Sequence, residues 1–463
     1  MRKALAVVLA AGEGKRMRSA EPKMLHQIGR LPTIAHVLKA LKAADVGRIA
    51  VVVAPGQDAV AQVVAAHAPG ASVHVQSERR GTAHAVLAAR KALEENADDV
   101  IVVFGDTPFV TADAISRLRD KLKQGASIAV GGMRPTNPNG YGRLIERNGK
   151  LVAIREERDA SEAERGNRLV NLGLYAFELA EIRDAIEGLD SGNDQGELYL
   201  TDVLETIGLR SRAVTYTLKH PEEANLVNDR AQLAKAEEIL RRRILDAHMR
   251  NGVTVRDPAS THIEATVEIG RDTVILPGSF LRGETKIGSD CMIGPSSDLL
   301  DTAVGDGATV EHSVGRGAVV GENVGVGPYS FLRPGTVLEE GSKVGAYCEV
   351  KNTRVGRGSK VPHLSYVGDT EIGEGANLGA GTITANFDGE NKSRTSIGDG
   401  AFTGVNTNLI APVTVGADSY TGAGSVVSKD VPPGRLAVGA PARAIKESPQ
   451  SMRKRAMNDE KGD

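Results

Sequence analysis

A glycine-rich segment that carries basic residues stands close to the N-terminus and could bind phosphate. It reads Leu9-Ala10-Ala11-Gly12-Glu13-Gly14-Lys15-Arg16-Met17, with Pro22-Lys23 after it. Small residues let backbone N–H groups approach a phosphate closely, and Arg16 and Lys23 would add charge opposite triphosphate oxygens. Met17 stands where a dinucleotide fingerprint needs its last glycine, and no Gly-Lys-Ser/Thr ends the segment, so neither of the commoner phosphate loops is present. The alternative is a glycine turn with solvated cations.

A carboxylate directly after an apolar run could bind a metal ion. The run Val100–Phe104 is followed by Gly105-Asp106-Thr107-Pro108. Mg²⁺ prefers oxygen ligands and normally uses only one or two protein groups when it bridges phosphates. Asp106 is therefore a candidate magnesium ligand, and a structural aspartate in a strand-end turn is the alternative.

Polar side chains interrupt a regular repeat in the C-terminal half and could act on an anionic substrate. They are Arg333, Lys351, His363, Tyr366, Asn377 and Lys392. Basic side chains suit a phosphate dianion, and imidazole titrates near neutrality. Each residue alone could also be a solvated side chain.

The elements that would position the first group alternate between apolar runs and helical spacing. The runs are Ala4–Leu9, Ile49–Val53, Val73–Val75, Val100–Phe104 and Ile128–Val130, and the helical segments are Ile34–Ala43, Ala59–Ala66 and Ala83–Leu93. This alternation predicts an α/β, Rossmann-like domain with a mainly parallel sheet. Ligands of such sheets bind beyond the C-terminal strand ends, so the loops that start at Ala10, Gln76 and Gly105 are expected to form the site.

A single charged helix separates the two halves of the chain. Its apolar residues follow one side, and Asn228 or Asp229 could cap it. We therefore predict three parts, with the first domain at 1–228, the linker helix at 229–250 and the second domain at 251–463.

A six-residue repeat begins after Asn251. Aliphatic residues recur at Val314, Val320 and Val326, and Val-Gly or Ile-Gly pairs return at intervals of which several are 17 or 18 residues. An aliphatic residue at every sixth position stacks inside a three-sided coil, and a small residue permits each tight corner. The repeat predicts a parallel β-helix that associates with itself, most plausibly as a homotrimer. The charged tail Met452–Asp463 is expected to be flexible.

Composition limits the possible partners and compartment. A formal charge of -2 does not favour nucleic acid, and two cysteines, Cys291 and Cys348, cannot build a disulfide framework. Both are interpreted as small buried residues of the repeat. Met1–Ala11 superficially resembles a signal peptide, but charged residues follow at once, and no apolar run approaches the roughly 20 residues of a membrane span. We expect a cytoplasmic protein that binds no membrane.

The first segment resembles the sugar-phosphate nucleotidyltransferases, whose signature is Leu-x-x-Gly-x-Gly-x-Arg-Met followed by Pro-Lys. Over essentially its whole length, the chain resembles the bacterial bifunctional N-acetylglucosamine-1-phosphate uridyltransferase/glucosamine-1-phosphate N-acetyltransferases. The resemblance implies that the second domain is a left-handed β-helix and that acetyl-CoA acetylates glucosamine 1-phosphate. UTP would then convert N-acetylglucosamine 1-phosphate to UDP-N-acetylglucosamine, a precursor for peptidoglycan and lipopolysaccharide.

The resemblance also implies roles for residues of the first domain. Arg16 and Lys23 would be catalytic, and Mg²⁺ would bind Asp106 and Asn228. The uridine nucleotide would contact Leu9, Ala10, Ala11, Gly12, Lys23, Gln76, Gly81 and Thr82, and the N-acetylglucosamine moiety would contact Gly140, Glu156, Asn171 and Asn228. Ala83 departs mildly from the family, which commonly has glycine there, and His84 is interpreted as a helix-start residue.

In the second domain, the resemblance implies that His363 removes a proton from the attacking 2-amino group. Glucosamine 1-phosphate would be bound by Arg333, Lys351, Tyr366, Asn377 and Lys392, and acetyl-CoA by Ala380, Asn386, Phe387, Val405, Ala423 and Arg443. Asn377, Lys392 and Ala423 could come from a neighbouring subunit. Phe387 replaces the commoner tyrosine, Val405 stands where some relatives have serine, and Arg443 lies three residues after the usual arginine position at Ala440.

Two alternative functions are a nucleotidyltransferase with a regulatory β-helix and an interaction protein built from the same folds. In enzymes like ADP-glucose pyrophosphorylase the β-helix is regulatory or structural, and such a chain would not need His363 among cations. In translation-factor subunits the same two folds serve interaction, and degraded phosphate-loop residues would be expected, whereas Arg16, Lys23 and Asp106 are intact.

Overall fold

The computed structural model describes residues 2–135, 137–188, 198–208, 212–449 and 451–452. The chain divides into two compact units, with the boundary between Leu240 and Arg241. Of the predicted flexible tail Met452–Asp463, only Met452 lies within the described residues.

The first unit is built around one mixed β-sheet. Its strands and those of a small hairpin are β1 Ala4–Leu9, β2 Gln27–Ile28, β3 Leu31–Pro32, β4 Arg48–Val53, β5 Ser72–Val75, β6 Asp99–Phe104, β7 Ile128–Met133, β8 Arg143–Arg147, β9 Lys150–Arg155, β10 Val170–Glu178 and β11 Ala213–Thr217. The sheet order is β11-β7-β10-β6-β1-β4-β5, and the hairpin β8–β9 joins it through β10. Only β10 runs antiparallel to its neighbours β6 and β7 along this path. The α/β fold with a mainly parallel sheet is thus confirmed.

Helices cover the sheet because its strands are apolar on both faces. They are α1 Thr33–Ala43, α2 Asp58–His67, α3 Thr82–Ala88, α4 Arg90–Leu93, α5 Ala112–Lys123, α6 Glu162–Arg165, α7 Leu179–Glu187, α8 Val203–Gly208 and α9 Arg230–Arg250, with short 3-10 turns at Lys15–Met17, Lys23–Leu25, Leu200–Asp202 and Pro221–Ala224. Every residue of β1 is buried, as expected for a parallel strand packed on both sides. The prediction of one continuous helix at Ala83–Leu93 is wrong, because Ala89 (φ -91°, ψ 18°) leaves the helical conformation and separates α3 from α4.

Helix α9 carries the boundary between the units. Of the two predicted caps, Asp229 is the one whose carboxylate accepts a hydrogen bond from the Gln232 N–H, at 2.8 Å. Ala236 and Ile239 belong to a small core of the first unit, whereas Leu245 packs into the core of the second. Among the described residues, no helix is both long enough and apolar enough to cross a membrane.

The second unit is a left-handed parallel β-helix with three sheets. The first solenoid sheet contains Thr254–Val255, Val274–Ile275, Met292–Ile293, Thr309–Val310, Gly325–Val326, Lys343–Ala346, Lys360–His363, Asn377–Leu378, Phe402–Thr403, Tyr420–Thr421, Arg435–Gly439 and Ala442–Glu447. The second contains His262–Ile263, Phe280–Arg282, Asp298–Leu300, Val314–Arg316, Phe331–Leu332, Glu349–Lys351, Tyr366–Gly368, Ile383–Ala385, Asn408–Ile410 and Val426–Val427. The third contains Glu268–Ile269, Lys286–Ile287, Ala303–Val304, Val319–Val320, Val337–Leu338, Arg354–Val355, Thr370–Ile372, Thr395–Ile397 and Val413–Val415.

The repeat accounts for this unit because each strand pairs with the strand one coil later. Val320 and Val326 are buried on the third and first solenoid sheets, as predicted. Val314 is only half-buried on the second sheet, because Gly315 takes the inward position between Leu299 and Leu332. Cys291 and Cys348 are buried and free, as predicted, and burial raises the pKa of both thiols. The last two strands of the first solenoid sheet, Arg435–Gly439 and Ala442–Glu447, run antiparallel and end the regular coils.

Candidate functional sites

A cavity of about 310 Å³ opens at the C-terminal ends of β1 and β6. Its lining contains Leu9, Ala11, Gly12, Lys23, Met24, Gln76, Arg79, Gly81, Thr82, Ala85, Phe104 and Asp106. The three loops in which the sequence places a ligand therefore meet in one cavity. Ala10 lies beneath it, fully buried, and its N–H bonds to the Val52 carbonyl at 2.8 Å. Arg16 is exposed on the turn Lys15–Met17 and does not line the cavity.

Lys23, Asp106 and Asn228 meet on one side of the cavity. The Lys23 ammonium donates to the Asp106 carboxylate and, at 3.1 Å, to the Asn228 side-chain oxygen. Lys23 and Asp106 are buried, so the ion pair is shielded from water. The two oxygens share one cationic partner, and a carboxylate with an amide oxygen is a donor set that suits Mg²⁺. No group of three or more His, Cys, Asp or Glu side chains suited to a metal occurs among the described residues.

Gly14 lets the phosphate-loop segment pack against Lys23. Its φ of +66° lies in the left-handed region, and a Cβ there would stand 2.8 Å from the Lys23 Cβ. Arg79, which its sequence pattern does not single out, lines the same cavity and pairs with Glu13 of the loop. The Arg79 Nε also donates to the Ala11 carbonyl at 3.3 Å. Its only signal in the sequence was its place between Gln76 and Gly81.

Gln76 is held by the turn that precedes α3. Its side chain is buried, and its Nε2 donates to the Gly81 carbonyl and lies near the His84 Nδ1, each at 3.2 Å. Gly81 has φ +105°, and a Cβ there would stand 2.4 Å from the Leu198 carbonyl oxygen, so no other residue fits. Thr82 opens α3, and its hydroxyl accepts from the Leu200 N–H at 2.9 Å. His84 lies in the first turn of α3, as predicted.

The residues assigned to the sugar follow the hairpin β8–β9 and strand β10. Asn171 donates from Nδ2 to the Tyr175 hydroxyl at 2.7 Å, and its Oδ1 accepts from the Gly173 N–H at 3.1 Å. Burial, together with the carboxylates of Asp159 and Asp202, raises the pKa of Glu156. Gly140 lies exposed in the turn before β8, with φ +83°.

Gly173 forms a bulge in β10 that admits the Phe104 ring. A Cβ at Gly173 would stand 2.0 Å from Phe104 Cε2, and its φ of +69° also disfavours a side chain. We expect Gly173→Ala to destabilise the first unit by about 2–4 kcal/mol, because overpacking adds to the backbone strain. Gly149→Ala is the matched control, since Gly149 has φ +71° and open space around its Cβ position. Thermal unfolding should show the larger loss for Gly173→Ala, and equal losses would contradict the steric argument.

In the second unit, three of the singled-out residues, Arg333, Lys351 and Tyr366, lie on successive coils. Arg333 directly follows the strand Phe331–Leu332 and forms an ion pair with Glu349 at 2.8 Å. Lys351 forms an ion pair with Asp369 at 3.2 Å. Glu349 stands opposite Tyr366 in the second solenoid sheet. A Cβ at Gly368 would stand 2.5 Å from the Tyr366 hydroxyl, so that glycine leaves room for the phenol.

His363 and Asn377 belong to the first solenoid sheet, one coil apart. His363 ends the strand Lys360–His363 and is exposed, only three residues before Tyr366. Asn377 is half-buried and stands opposite Lys360. The structure therefore brings a potential base to the corner between the two sheets, beside the Tyr366 strand.

A small hairpin projects from one coil and interrupts the repeat. Phe387 pairs with Lys392 across it, and the Ser393 N–H bonds to the Asn386 carbonyl at 2.9 Å. Both Phe387 and Lys392 are exposed, whereas Asn386 is buried at its base. The hairpin lengthens its coil, because the hydrogen bond between Glu374 and Asp399 spans 25 residues, whereas that between Arg354 and Glu371 one coil earlier spans 17.

Ala380, Val405 and Ala423 follow one another at a single corner of the solenoid. The Asn406 N–H bonds to the Ala380 carbonyl at 2.7 Å, and the Gly424 N–H to the Val405 carbonyl at 2.8 Å. Val405 and Ala423 are exposed, so this corner offers small and apolar contacts to a ligand. Arg443 is also exposed and stands opposite Val438 on the final antiparallel strand pair.

Comparison with known proteins identifies both units. A MobA-like NTP transferase domain matches residues 6–167, and a hexapeptide repeat of succinyl-transferase matches residues 394–429. The chain is 63% identical over 447 residues to the bifunctional protein GlmU of Rubrobacter xylanophilus, covering 96% of this chain and 94% of that protein. It is 43% identical to the GlmU of Brevibacillus brevis, covering 95% of each, and 44% identical to that of Heliobacterium modesticaldum, covering 97% and 98%. The chain belongs to the family of bifunctional GlmU proteins.

Proposed function

We propose that the two units act in turn on one sugar phosphate, through a separate site in each unit. The family is bifunctional, and the chain is accordingly a uridyltransferase and an acetyltransferase of UDP-N-acetylglucosamine synthesis. The observation that carries the proposal is one group of basic side chains in each unit, with Lys23 beside Asp106 in the first cavity and Arg333 and Lys351 on successive coils of the solenoid. These residues also argue against a regulatory solenoid or an interaction protein.

The cavity of the first unit is assigned to the uridine nucleotide. Leu9, Ala10, Ala11 and Gly12 would present backbone groups to it, and Gln76, Gly81 and Thr82 would contact the base. The buried Gln76 amide is oriented by its contacts to Gly81 and His84, which supports a role in recognising a pyrimidine edge. Lys23 would bind phosphate oxygens, and Arg79 adds a second cation at the mouth.

The sugar of N-acetylglucosamine 1-phosphate is assigned to Gly140, Glu156, Asn171 and Asn228. Its phosphate oxygen would attack the α-phosphorus of UTP in line, and pyrophosphate would leave. The buried Lys23 would stabilise the developing charge, and the exposed Arg16 would have to approach the triphosphate from its turn. Asp106 and Asn228 would hold Mg²⁺, which supplies charge neutralisation and alignment of the phosphates.

Acetyl transfer is assigned to the corner at His363. The imidazole would accept a proton from the 2-amino group of glucosamine 1-phosphate as the nitrogen attacks the thioester carbonyl, and the thiol of CoA would leave. Arg333, Lys351 and Lys392 would bind the phosphate, while Tyr366 and Asn377 would position the sugar. Acetyl-CoA would lie along Ala380, Val405 and Ala423, with the hairpin of Asn386 and Phe387 on one side and Arg443 at the far end.

We further propose a cytoplasmic homotrimer. Rings of His312, Tyr329 and Tyr347 stack along one solenoid corner with centroids 5.2 Å apart, and Leu364 continues the row beside His363. Tyr329, Tyr347 and Leu364 are each more than half exposed, and an apolar row of this kind supports burial against another subunit. Asn377, Lys392 and Ala423 would then complete a neighbour's site.

Glu156→Gln should weaken uridyl transfer and stabilise the first unit near neutral pH. The amide cannot accept every hydrogen bond that the carboxylate can accept from sugar hydroxyls, so the KM for N-acetylglucosamine 1-phosphate should rise about tenfold. The raised pKa of Glu156 means that folding disfavours its ionised form, so stability falls as pH rises above the carboxyl's ordinary pKa. Unfolding of both forms at pH 4 and pH 8 checks this, since the stabilising effect of Glu156→Gln should be larger at pH 8. A uniform effect at both pH values would contradict the electrostatic explanation.

The overall proposal is tested by supplying glucosamine 1-phosphate, acetyl-CoA, UTP and Mg²⁺ and following CoA and pyrophosphate separately. CoA release should proceed without UTP, whereas pyrophosphate release from glucosamine 1-phosphate should require acetyl-CoA. Pyrophosphate release without acetyl-CoA would overturn the proposed order.

A further inference from the structure

Asp369 is a buried carboxylate that contacts two residues proposed to act in acetyl transfer, Lys351 and Asn386. It follows Gly368 at a corner of the solenoid, with φ +51°, and its side chain is 9% exposed. One oxygen accepts from the Asn352 Nδ2 at 2.6 Å. The other accepts from the Lys351 ammonium at 3.2 Å and from the Asn386 Nδ2.

The carboxylate is ionised at neutral pH. Burial alone would raise the pKa of Asp369, but the hydrogen bonds from Asn352, Asn386 and Lys351 outweigh it, and the pKa lies below its ordinary value. A charged acceptor makes stronger hydrogen bonds than a neutral one, so all three donors are held firmly.

Two of these donors belong to different substrates in the proposed function. Lys351 is assigned to the phosphate of glucosamine 1-phosphate, and Asn386 begins the hairpin assigned to acetyl-CoA. Lys351 and Asn386 lie two coils apart, and Asp369 lies on the coil between them. The backbone supports the same arrangement, because the Asp369 N–H bonds to the Lys351 carbonyl at 2.9 Å and its carbonyl accepts from the Thr395 N–H, beyond the hairpin, at 3.2 Å.

We propose that Asp369 is a positioning residue that fixes Lys351 and Asn386 together and so couples the sugar-phosphate site to the acetyl-CoA hairpin. The inference rests on the roles proposed for those two residues. Asp298 is a comparable carboxylate outside the proposed site, on an earlier coil of the second solenoid sheet. It forms ion pairs with Arg282 and Arg316 on the two neighbouring coils. Asp298 therefore supplies the control for a purely structural role.

The test compares Asp369→Asn with Asp298→Asn in steady-state acetyl transfer and in thermal unfolding. Asp369→Asn should raise the KM for both glucosamine 1-phosphate and acetyl-CoA about tenfold, because each donor loses a charged acceptor. The kcat and uridyl transfer should change little. Asp298→Asn should affect unfolding alone. An unchanged KM for either substrate in Asp369→Asn would overturn the coupling.

A double-mutant cycle separates this inference from the proposed function. Lys351→Ala and Asn386→Ala should each raise one KM, and their effects on kcat/KM should be non-additive with Asp369 present and additive in the D369N background. If neither single change affects a KM, the proposed substrate roles fail. If both do and the cycle is additive with Asp369 present, only the positioning role fails.

Asn352→Ala, which removes the third donor, gives a milder variant should D369N not fold, and it should raise both KM values by a smaller factor. Equal KM values to the unmodified chain in Asn352→Ala would then overturn the inference.

Discussion

His363→Ala is expected to abolish measurable acetyl transfer while uridyl transfer from N-acetylglucosamine 1-phosphate continues. The reaction needs a base because the amino group loses a proton as it attacks the thioester, and a positioned base contributes about 10²–10⁴-fold. The residue is exposed at the corner of two solenoid sheets, so its removal leaves no cavity in the core. CoA release should therefore fall by about that factor, with thermal unfolding unchanged.

His262→Ala is the matched control for this experiment. His262 also lies on an exposed solenoid strand, where its ring stacks on Phe280 with centroids 4.7 Å apart, but it belongs to an early coil. It should leave both activities unchanged. Normal acetyl transfer by His363→Ala would remove His363 from the mechanism, and loss of both activities in a well-folded His363→Ala variant would contradict the two-site arrangement.

The solenoid could be predicted from the sequence because its contacts are periodic. Each strand pairs with the one a coil later, as Arg354 does with Glu371, so the six-residue spacing of apolar residues already contains the register. The α/β unit could be predicted for a related reason, since buried parallel strands such as β1 are continuous apolar runs. In both cases a local pattern determines which face is buried.

The parts that could not be predicted depend on contacts between distant segments. Nothing in the run Val170–Glu178 indicates that β10 enters the sheet antiparallel to β6, because strand direction depends on the connection and not on composition. Asp369 looks like any polar corner residue until its donors on neighbouring coils are known. Arg79 is similar, since its place at the cavity follows from its pairing with Glu13, which lies far away in sequence.

The individual site residues could be predicted in part: their location followed from the sequence, but their contacts did not. Their types and spacing placed Gly12, Gln76 and Asp106 on loops at one sheet edge, and these three line one cavity. The chemistry of that cavity still needed the structure, because Lys23, expected to face phosphates, pairs with the carboxylate expected to hold the metal. Because of this ion pair, a substitution of Asp106 affects the stability of the first unit as well as metal binding.

Asp106→Asn is expected to reduce uridyl transfer by about a thousandfold and to leave acetyl transfer intact. The change keeps the shape of the side chain but removes the charge that would bind Mg²⁺ beside Asn228. It also leaves the buried Lys23 ammonium without its carboxylate partner, and breaking a buried pair destabilises a protein by about 3–5 kcal/mol. Pyrophosphate release should fall at every Mg²⁺ concentration, and unfolding of the first unit should occur at lower temperature.

The loss of stability makes a double variant necessary, because a poorly folded unit would also lose activity. Lys23→Met with Asp106→Asn removes both charges at once, so stability should return towards that of the unmodified chain while uridyl transfer stays low. Asp113→Asn, at an exposed carboxylate of the same unit, should change neither property. Recovery of uridyl transfer together with stability in the double variant would show that Asp106 and Lys23 serve the fold alone, since neither a catalytic carboxylate nor a catalytic ammonium can be replaced by removing its neighbour.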